Sequence, residues 1–369
     1  MFMIKDFGVT PWEVTGKVDY DKLIKQFGIK PMPKLPEKFQ KNLLFRRKII
    51  FAQRDFSRIL DSIRDGRPFV VMTGLMPSGK FHLGHKILID QIIFYQRLGA
   101  KIYLAVADIE AYNTRNKSMR ELEETAIREY LENYIALGLK PEKCDFYFQS
   151  KRSDDWKKSN AYYKLAGMLA SCATFNEFRA VYGEITPGKM VSSLFQASDM
   201  LHAQLDEFEG KVPVLVPVGI DQDPHLRIAR DMSRRIKEFD FMQLSSTYHK
   251  FLPGLKGEKM SSSVEESAIF ISDSPKEVKK KIWNSFTGGG GSLKEQKEKG
   301  GNPDVCRVYQ YLFYLFDDDN ELKVRYEKCK KGEILCGECK EYLTEKINKF
   351  LKEHRKKKEI ARNKIDRYL

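Results

Sequence analysis

The chain has 369 residues, of which 42% are apolar, 12% aromatic and 31% charged, so it can bury a large core and is neither a disordered segment nor a small disulfide-stapled scaffold. Its 65 basic residues outnumber 51 acidic ones, and the net charge of +14 points to a polyanionic partner, nucleic acid ahead of an anionic membrane surface. No apolar run approaches the roughly 18 residues of a membrane span, and residues 1–8 lack the apolar stretch of a secretory signal, so a cytoplasmic chain without membrane contact is expected. In a reducing compartment, clustering among the six cysteines means metal ligation before disulfides.

Residues 1–66 read as an N-terminal extension, with Pro31, Pro33 and Pro36 close together and the basic run Arg46, Arg47 and Lys48 behind them. From residue 67 the apolar runs 69–72, 102–107, 146–148 and 212–218 read as buried parallel strands between helical patterns. Ser118 with Glu121 forms a capping box; Ala126, Tyr130, Tyr134 and Leu137 then share a helical face before Gly138. Strand, helix, strand in this order predicts an α/β fold with a parallel sheet. Glycines at 288–291, 300 and 301 mark loops. The remainder is helical in pattern and ends in a basic tail of Lys352, Arg355, Lys356, Lys357, Lys358, Arg362, Lys364 and Arg367.

The first chemical motif follows the 69–72 run. Gly74, Pro77 and Gly79 turn the chain at the carboxyl end of a strand, and His82, Gly84 and His85 open a helix whose Leu88, Ile92 and Tyr95 share a face. Backbone N–H groups and two imidazoles at such a turn suit a phosphate chain, and a side chain at Gly84 would bar a purine or ribose from the backbone. Alone, the segment also fits an ordinary strand-to-helix turn with two surface histidines. About 175 residues later comes Lys259, followed by Met260, Ser261, Ser262 and Ser263. A cation with hydroxyls and backbone amides on a loop suits gripping phosphates as charge develops on a leaving pyrophosphate, although alone it also fits a solvated turn.

Together and in this order, the two motifs resemble the HIGH and KMSKS signatures of class I aminoacyl-tRNA synthetases. The resemblance implies a Rossmann-type parallel-sheet catalytic domain over 67–272, ATP with Mg2+, an aminoacyl-adenylate, and transfer to the terminal ribose of tRNA. It assigns His82, His85 and Lys259 to the reacting phosphorus, and Gly74, Gly84, Met260, Ser261, Ser262 and Ser263 to ATP, with Asp221 on its ribose. Such chemistry needs positioning and electrostatics, and no nucleophilic side chain is expected.

Within that class the chain looks closest to tryptophanyl-tRNA synthetases of the archaeal and eukaryotic type. The likeness runs through Leu44-Phe-Arg-Arg47, Gln53-Arg-Asp55, Gly219-Ile-Asp-Gln-Asp-Pro224, Phe286-Thr-Gly-Gly289, Gly300-Gly-Asn-Pro-Asp304 and Phe316-Asp-Asp-Asp319. It implies L-tryptophan and tRNA(Trp) as substrates and a helical anticodon-binding domain over 273–369. It also implies a homodimer whose surface is a helical insertion at about 151–206. A tyrosyl enzyme and a noncatalytic tRNA-binding paralogue are the alternatives.

One departure concerns the amino acid. Archaeal and eukaryotic tryptophanyl enzymes hold the indole N–H with a tyrosine and a glutamine, and the matching positions here are Met72 and Ala105. Gln196-Ala-Ser-Asp199 resembles the segment that carries an indole-binding aspartate in bacterial tryptophanyl enzymes, so Asp199 is the expected acceptor; a structural carboxylate is the plainer reading. Met72 suits an indole face and offers a phenol only a weak acceptor. Glu110, Gln196 and Gln222 match family positions for the amino-acid head group.

Cys306, Cys329, Cys336 and Cys339 follow a C-x22-C-x6-C-x2-C spacing. Four soft thiolates suit zinc or an iron–sulfur cluster, and they can also be free thiols. A subset of tryptophanyl-tRNA synthetases shows this spacing with a [4Fe–4S] cluster, which the resemblance implies here as a brace for the anticodon region, with Zn2+ as the alternative. Cys144 and Cys172 read as packed core thiols. The basic tail is expected to track the tRNA backbone.

Overall fold

Along the central strands, successive side chains turn to opposite faces. Val71, Leu75, Ile102, Leu104, Val106 and Phe146 join one buried cluster, and Val70, Met72, Tyr103, Ala105 and Tyr147 join the other. A sheet covered on both faces needs apolar residues at consecutive positions, which is why these segments read as unbroken apolar runs rather than as alternation. The computed structural model describes the chain apart from residues 1–2, 5–6, 10–13, 17–19, 257–264 and 317; for 3–4, 7–9 and 14–16 it describes the backbone alone. Lys259, Met260, Ser261, Ser262 and Ser263 thus lie outside the described residues.

Three short antiparallel strands, β1 (Met3–Ile4), β2 (Phe7–Val9) and β3 (Val14–Gly16), form a small sheet. The main sheet has seven strands: β4 (Lys30–Pro31), β5 (Ile50–Arg54), β6 (Val70–Leu75), β7 (Lys101–Val106), β8 (Cys144–Phe148), β9 (Val214–Gly219) and β10 (Ser245–His249). Their order is β4-β5-β10-β9-β6-β7-β8, with β10 to β8 parallel and β5 antiparallel to both of its neighbours. Residues from the N-terminal 66 therefore supply two strands of this sheet.

From β6 the chain proceeds outward to β7 and β8 on one side, then returns to β9 and β10 on the other. Order reverses between β6 and β9, the position where open α/β sheets form a ligand crevice. The segment 151–206 folds into the helices Trp156–Leu169, Phe175–Tyr182 and Pro187–Leu201. After β10 the described chain is helical, ending in the 27-residue helix Cys336–Arg362. That helix packs back on the α/β unit through His354 Nε2 and Asn133 Oδ1 at 2.9 Å, and through Lys358 and Arg362 on Glu132.

The family-like segments meet in pairs. Arg46 and Arg47 both hold the Asp319 carboxylate through their Nε atoms at 2.7 Å, and Arg47 also donates to Phe316 O. Arg54 holds the fully buried Asp223 at 3.0 Å, and Asp55 holds Arg230 at 2.7 Å. Arginine, with its fixed fork of donors, is suited to such ties between distant segments.

Candidate active site and cysteine cavity

Strands β6 and β9 pair at Val70–Val214 and Val71–Leu215, and their pairing ends there. Beyond that point lies a cleft of about 440 Å3. It is lined by Met72, Gly74, His82, Gly84, His85, Glu110, Gln196, Asp199, Asp221 and Gln222, so every proposed ATP and amino-acid residue among the described ones faces one space.

The histidine motif is built into a helix start. His82 is the N-cap of Leu83–Arg97: its Nδ1 accepts from Gly84 N at 3.1 Å, while His85 Nδ1 accepts from His82 N at 3.1 Å. This is a capping box made by two imidazoles, whose rings stack 3.7 Å apart. A ring nitrogen that accepts carries no proton, so both rings are neutral tautomers with the proton on Nε2. The helix start lies against residues downstream of position 264: Leu83 N donates to Ile269 O at 3.0 Å and Ile271 N to Phe81 O at 3.1 Å. Leu255 N donates to Ser267 O at 2.9 Å.

On the opposite wall, Gly219 ends β9 where a Cβ would lie 2.6 Å from Asp221 Oδ1 and 2.7 Å from the Phe251 ring. Only glycine allows this close approach. Asp221 is buried and accepts from Gln222 Nε2 at 3.2 Å. Glu110 is also buried, and its carboxyl is pushed up to about 7, first by burial and then by the nearby Asp199. Its ionised form therefore needs a cation.

Asp199 sits deeper. Its Oδ1 accepts from the hydroxyls of Tyr147 and Tyr162, each at 2.8 Å, and its Oδ2 from Gln149 Nε2 at 2.7 Å. Burial pushes this carboxyl up to about 6 against those three donors and the cation of Arg152, whose guanidinium lies 3.9 Å from the Tyr147 ring centroid. Sequence reasoning did not single out Gln149, Arg115 or Lys250, which also line the cleft. The signal that could have found Gln149 is its place directly after the carboxyl end of β8, where open α/β sheets bind ligands.

In the helical region the ends of three helices converge. Cys306 caps Arg307–Leu315, Cys329 lies in the last turn of Asp319–Lys330, and Cys336 begins the final helix, one turn before Cys339. All four thiols line one small cavity, and none of the chain's cysteines is in a disulfide. Two glycines make room: a Cβ on Gly289 would lie 2.6 Å from Cys336 Sγ, and one on Gly301 would lie 2.9 Å from Cys329 Sγ. Gln296 Nε2 donates to Cys336 Sγ at 3.4 Å and Arg325 to Cys339 Sγ at 3.8 Å. Among the described residues, no three His, Cys, Asp or Glu side chains are placed to hold a single metal ion.

The basic tail divides. Lys352, Lys356, Lys357 and Lys364 are exposed, whereas Arg355 donates to Asp273 O, Lys358 and Arg362 hold Glu132, and Arg367 holds Glu142. Half of the expected phosphate-tracking cations thus pin the C-terminal segment to the rest of the protein. No helix among the described residues is long and apolar enough to cross a membrane.

Residues 64–352 match the family model for tRNA synthetases class I (W and Y), and the chain belongs to that family. Within it, the chain belongs with the tryptophan–tRNA ligases. It is 46% identical over 365 residues to that of Methanocaldococcus jannaschii, covering 96% of each chain. It is 44% identical over 359 residues to the one from Aeropyrum pernix, covering 95% of each. The crystal structure of tryptophanyl-tRNA synthetase from Aeropyrum pernix superposes with a TM-score of 0.89 over 95% of this chain and 96% of that one. That of Plasmodium falciparum superposes with a TM-score of 0.84 at 30% identity, covering 95% and 97%.

Proposed function

We propose that the chain activates L-tryptophan with ATP and Mg2+ to tryptophanyl-adenylate and transfers it to the terminal adenosine of tRNA(Trp). The observation that carries this reading is the shared cleft at the β6–β9 switch point, where a histidine-capped helix start for the nucleotide faces buried carboxylate and amide groups for an amino acid. Nε2–H groups of His82 and His85, with Gly74 and Gly84 backbone beside them, meet the phosphates; Lys259, Met260 and Ser261 to Ser263 complete the grip. Asp221 accepts from the ATP ribose. Glu110 receives the α-ammonium, whose charge offsets the burial that raises its carboxyl. Gln196 and Gln222 bind the carboxylate end, and Met72 and Asp199 form the aromatic end. The tryptophan carboxylate then attacks the α-phosphate in line, with its geometry fixed by these contacts.

The same proposal takes 67–272, with the two strands from residues 1–66, as the catalytic unit, and 273–369 as the anticodon-binding region. It seats a [4Fe–4S] cluster on Cys306, Cys329, Cys336 and Cys339. The all-thiolate set and the glycine-walled cavity would suit it, with the four cysteines as its ligands. When bound, it supplies a rigid cross-link between three helix ends, and the reaction itself does not use it. Exposed Trp156 and Phe175 in the 151–206 segment support a homodimer through that surface. Cytoplasmic placement is part of this reading. Charging of a tRNA(Trp) transcript with labelled tryptophan tests it: charging is expected, and none under conditions that permit ATP binding would overturn it.

A further inference from the structure

Met72 and Ala105 bring no strong acceptor to the aromatic end of the cleft, and Asp199 is already committed to three donors: two tyrosine hydroxyls on Oδ1 and the Gln149 amide on Oδ2. An ionised carboxylate accepts and cannot donate, so the Gln149 amide is fixed with its NH2 toward Asp199 and its carbonyl turned away. The rest of Gln149 is equally determined. Its backbone N–H donates to Val106 O at 3.0 Å, and its backbone carbonyl accepts from Tyr163 Oη at 3.0 Å. The residue is fully buried, lines the cleft, and leaves Oε1 without a hydrogen-bond partner among the described residues. A buried amide oxygen in that state is costly, and a ligand donor that reaches it recovers the cost.

We propose that Oε1 of Gln149 accepts the indole N–H of tryptophan, and that Asp199, clamped by Tyr147 and Tyr162, is a positioning residue that sets the orientation of this amide. The assignment rests on the reading of the cleft as a tryptophan site. It replaces Asp199 as the direct acceptor and supplies the missing partner that Met72 and Ala105 cannot. The indole N–H is a donor only, and the Gln149 carbonyl is an acceptor only, so the pair is matched in sense.

The test is ATP–pyrophosphate exchange with L-tryptophan and with β-(3-benzothienyl)-L-alanine, in which sulfur replaces the N–H at nearly unchanged shape. In the wild type, kcat/KM is expected to favour tryptophan by about 10- to 100-fold. Gln149→Met is expected to bring the two substrates within about 3-fold, through loss on tryptophan alone. A Gln149→Met enzyme that keeps the wild-type preference, or that loses equally on both substrates, overturns the proposal. Independently of any variant, a crystal structure of the wild-type chain with tryptophan is expected to place Nε1 on Gln149 Oε1; Nε1 on Asp199 would overturn it. Absence of any tryptophan-dependent exchange in the wild type would instead overturn the reading of the cleft, and the Gln149 assignment with it.

Discussion

The cleft beside the histidine-capped helix and the cysteine cavity both gather residues from distant parts of the chain, but they are held open in opposite ways. The cleft exists because β6 and β9 part company after two paired positions, and its polar groups are already fixed by neighbours: His82 and His85 by backbone N–H groups, Asp199 by three donors. The cysteine cavity lies where helix ends and glycine loops crowd together. A Cβ on Gly288 would fall 1.8 Å from Asn302 O, and one on Gly300 would fall 1.9 Å from Lys330 O. Its four thiols, moreover, repel one another when ionised, and proximity to the other three helps burial push Cys329 up to about 11. The polar groups of the cleft are thus held in place by fixed neighbours, whereas the four thiols of the cavity are brought together by backbone packing that only glycines permit.

The sharpest way to break this contrast is at the helix start. His85→Ala removes a donor aimed at charge that develops in the transition state, and it is expected to lower the exchange kcat by about 10²- to 10³-fold, measured at saturating substrates. An unchanged kcat would mean that the imidazole serves only as a cap. Next in size, Asp199→Ala is expected to reduce kcat/KM for tryptophan by about 10²-fold while the KM for ATP moves by no more than about 3-fold. Equal losses for both substrates would reduce Asp199 to a structural carboxylate.

Glu110 sharpens the comparison through pH. Its raised carboxyl is protonated below about 7 and cannot then pair with an ammonium group. Tryptophan kcat/KM should therefore rise with pH through that value, reporting the free enzyme. Glu110→Gln should lower kcat/KM and shift the rise toward about 6, where Asp199 ionises. A profile identical to wild type would remove Glu110 from the head-group site. The smallest effect on exchange is expected from Cys336→Ser. Absorbance at about 400 nm should vanish and thermal stability fall, with tRNA charging reduced and exchange kept within about 3-fold. Bound zinc with no such absorbance in anaerobically purified wild type would remove the cluster.

Much of the main sheet was legible because parallel strands buried on both faces leave long apolar runs. Three of the four predicted runs start within a residue or two of β6, β7 and β8, and the fourth contains most of β9. Strands β5 and β10 were not legible. Ile50–Arg54 is short, and Ser245–His249 is polar; Ser245, Ser246 and Thr247 are nonetheless fully buried, and Ser245 and Thr247 bond there to distant residues, Asp55 O and Gln91 Oε1. Glu110 and Gln222, matched to family positions for the head group, both line the cleft. The burden on Gln149 could not be read from the sequence, because it arises from an aspartate 50 positions away that takes one end of its amide. The tail was half legible: charge alone cannot distinguish Lys352 in solvent from Arg362 on Glu132.

The central claim is that one cleft joins ATP to tryptophan. Amino-acid-dependent ATP–pyrophosphate exchange, run in parallel with L-tryptophan and L-tyrosine on protein purified without oxygen, tests it most directly. Exchange with tryptophan and none with tyrosine is the predicted result. Exchange driven by tyrosine would contradict the reading of the Met72 end of the cleft, and no exchange with either amino acid would contradict adenylate chemistry altogether.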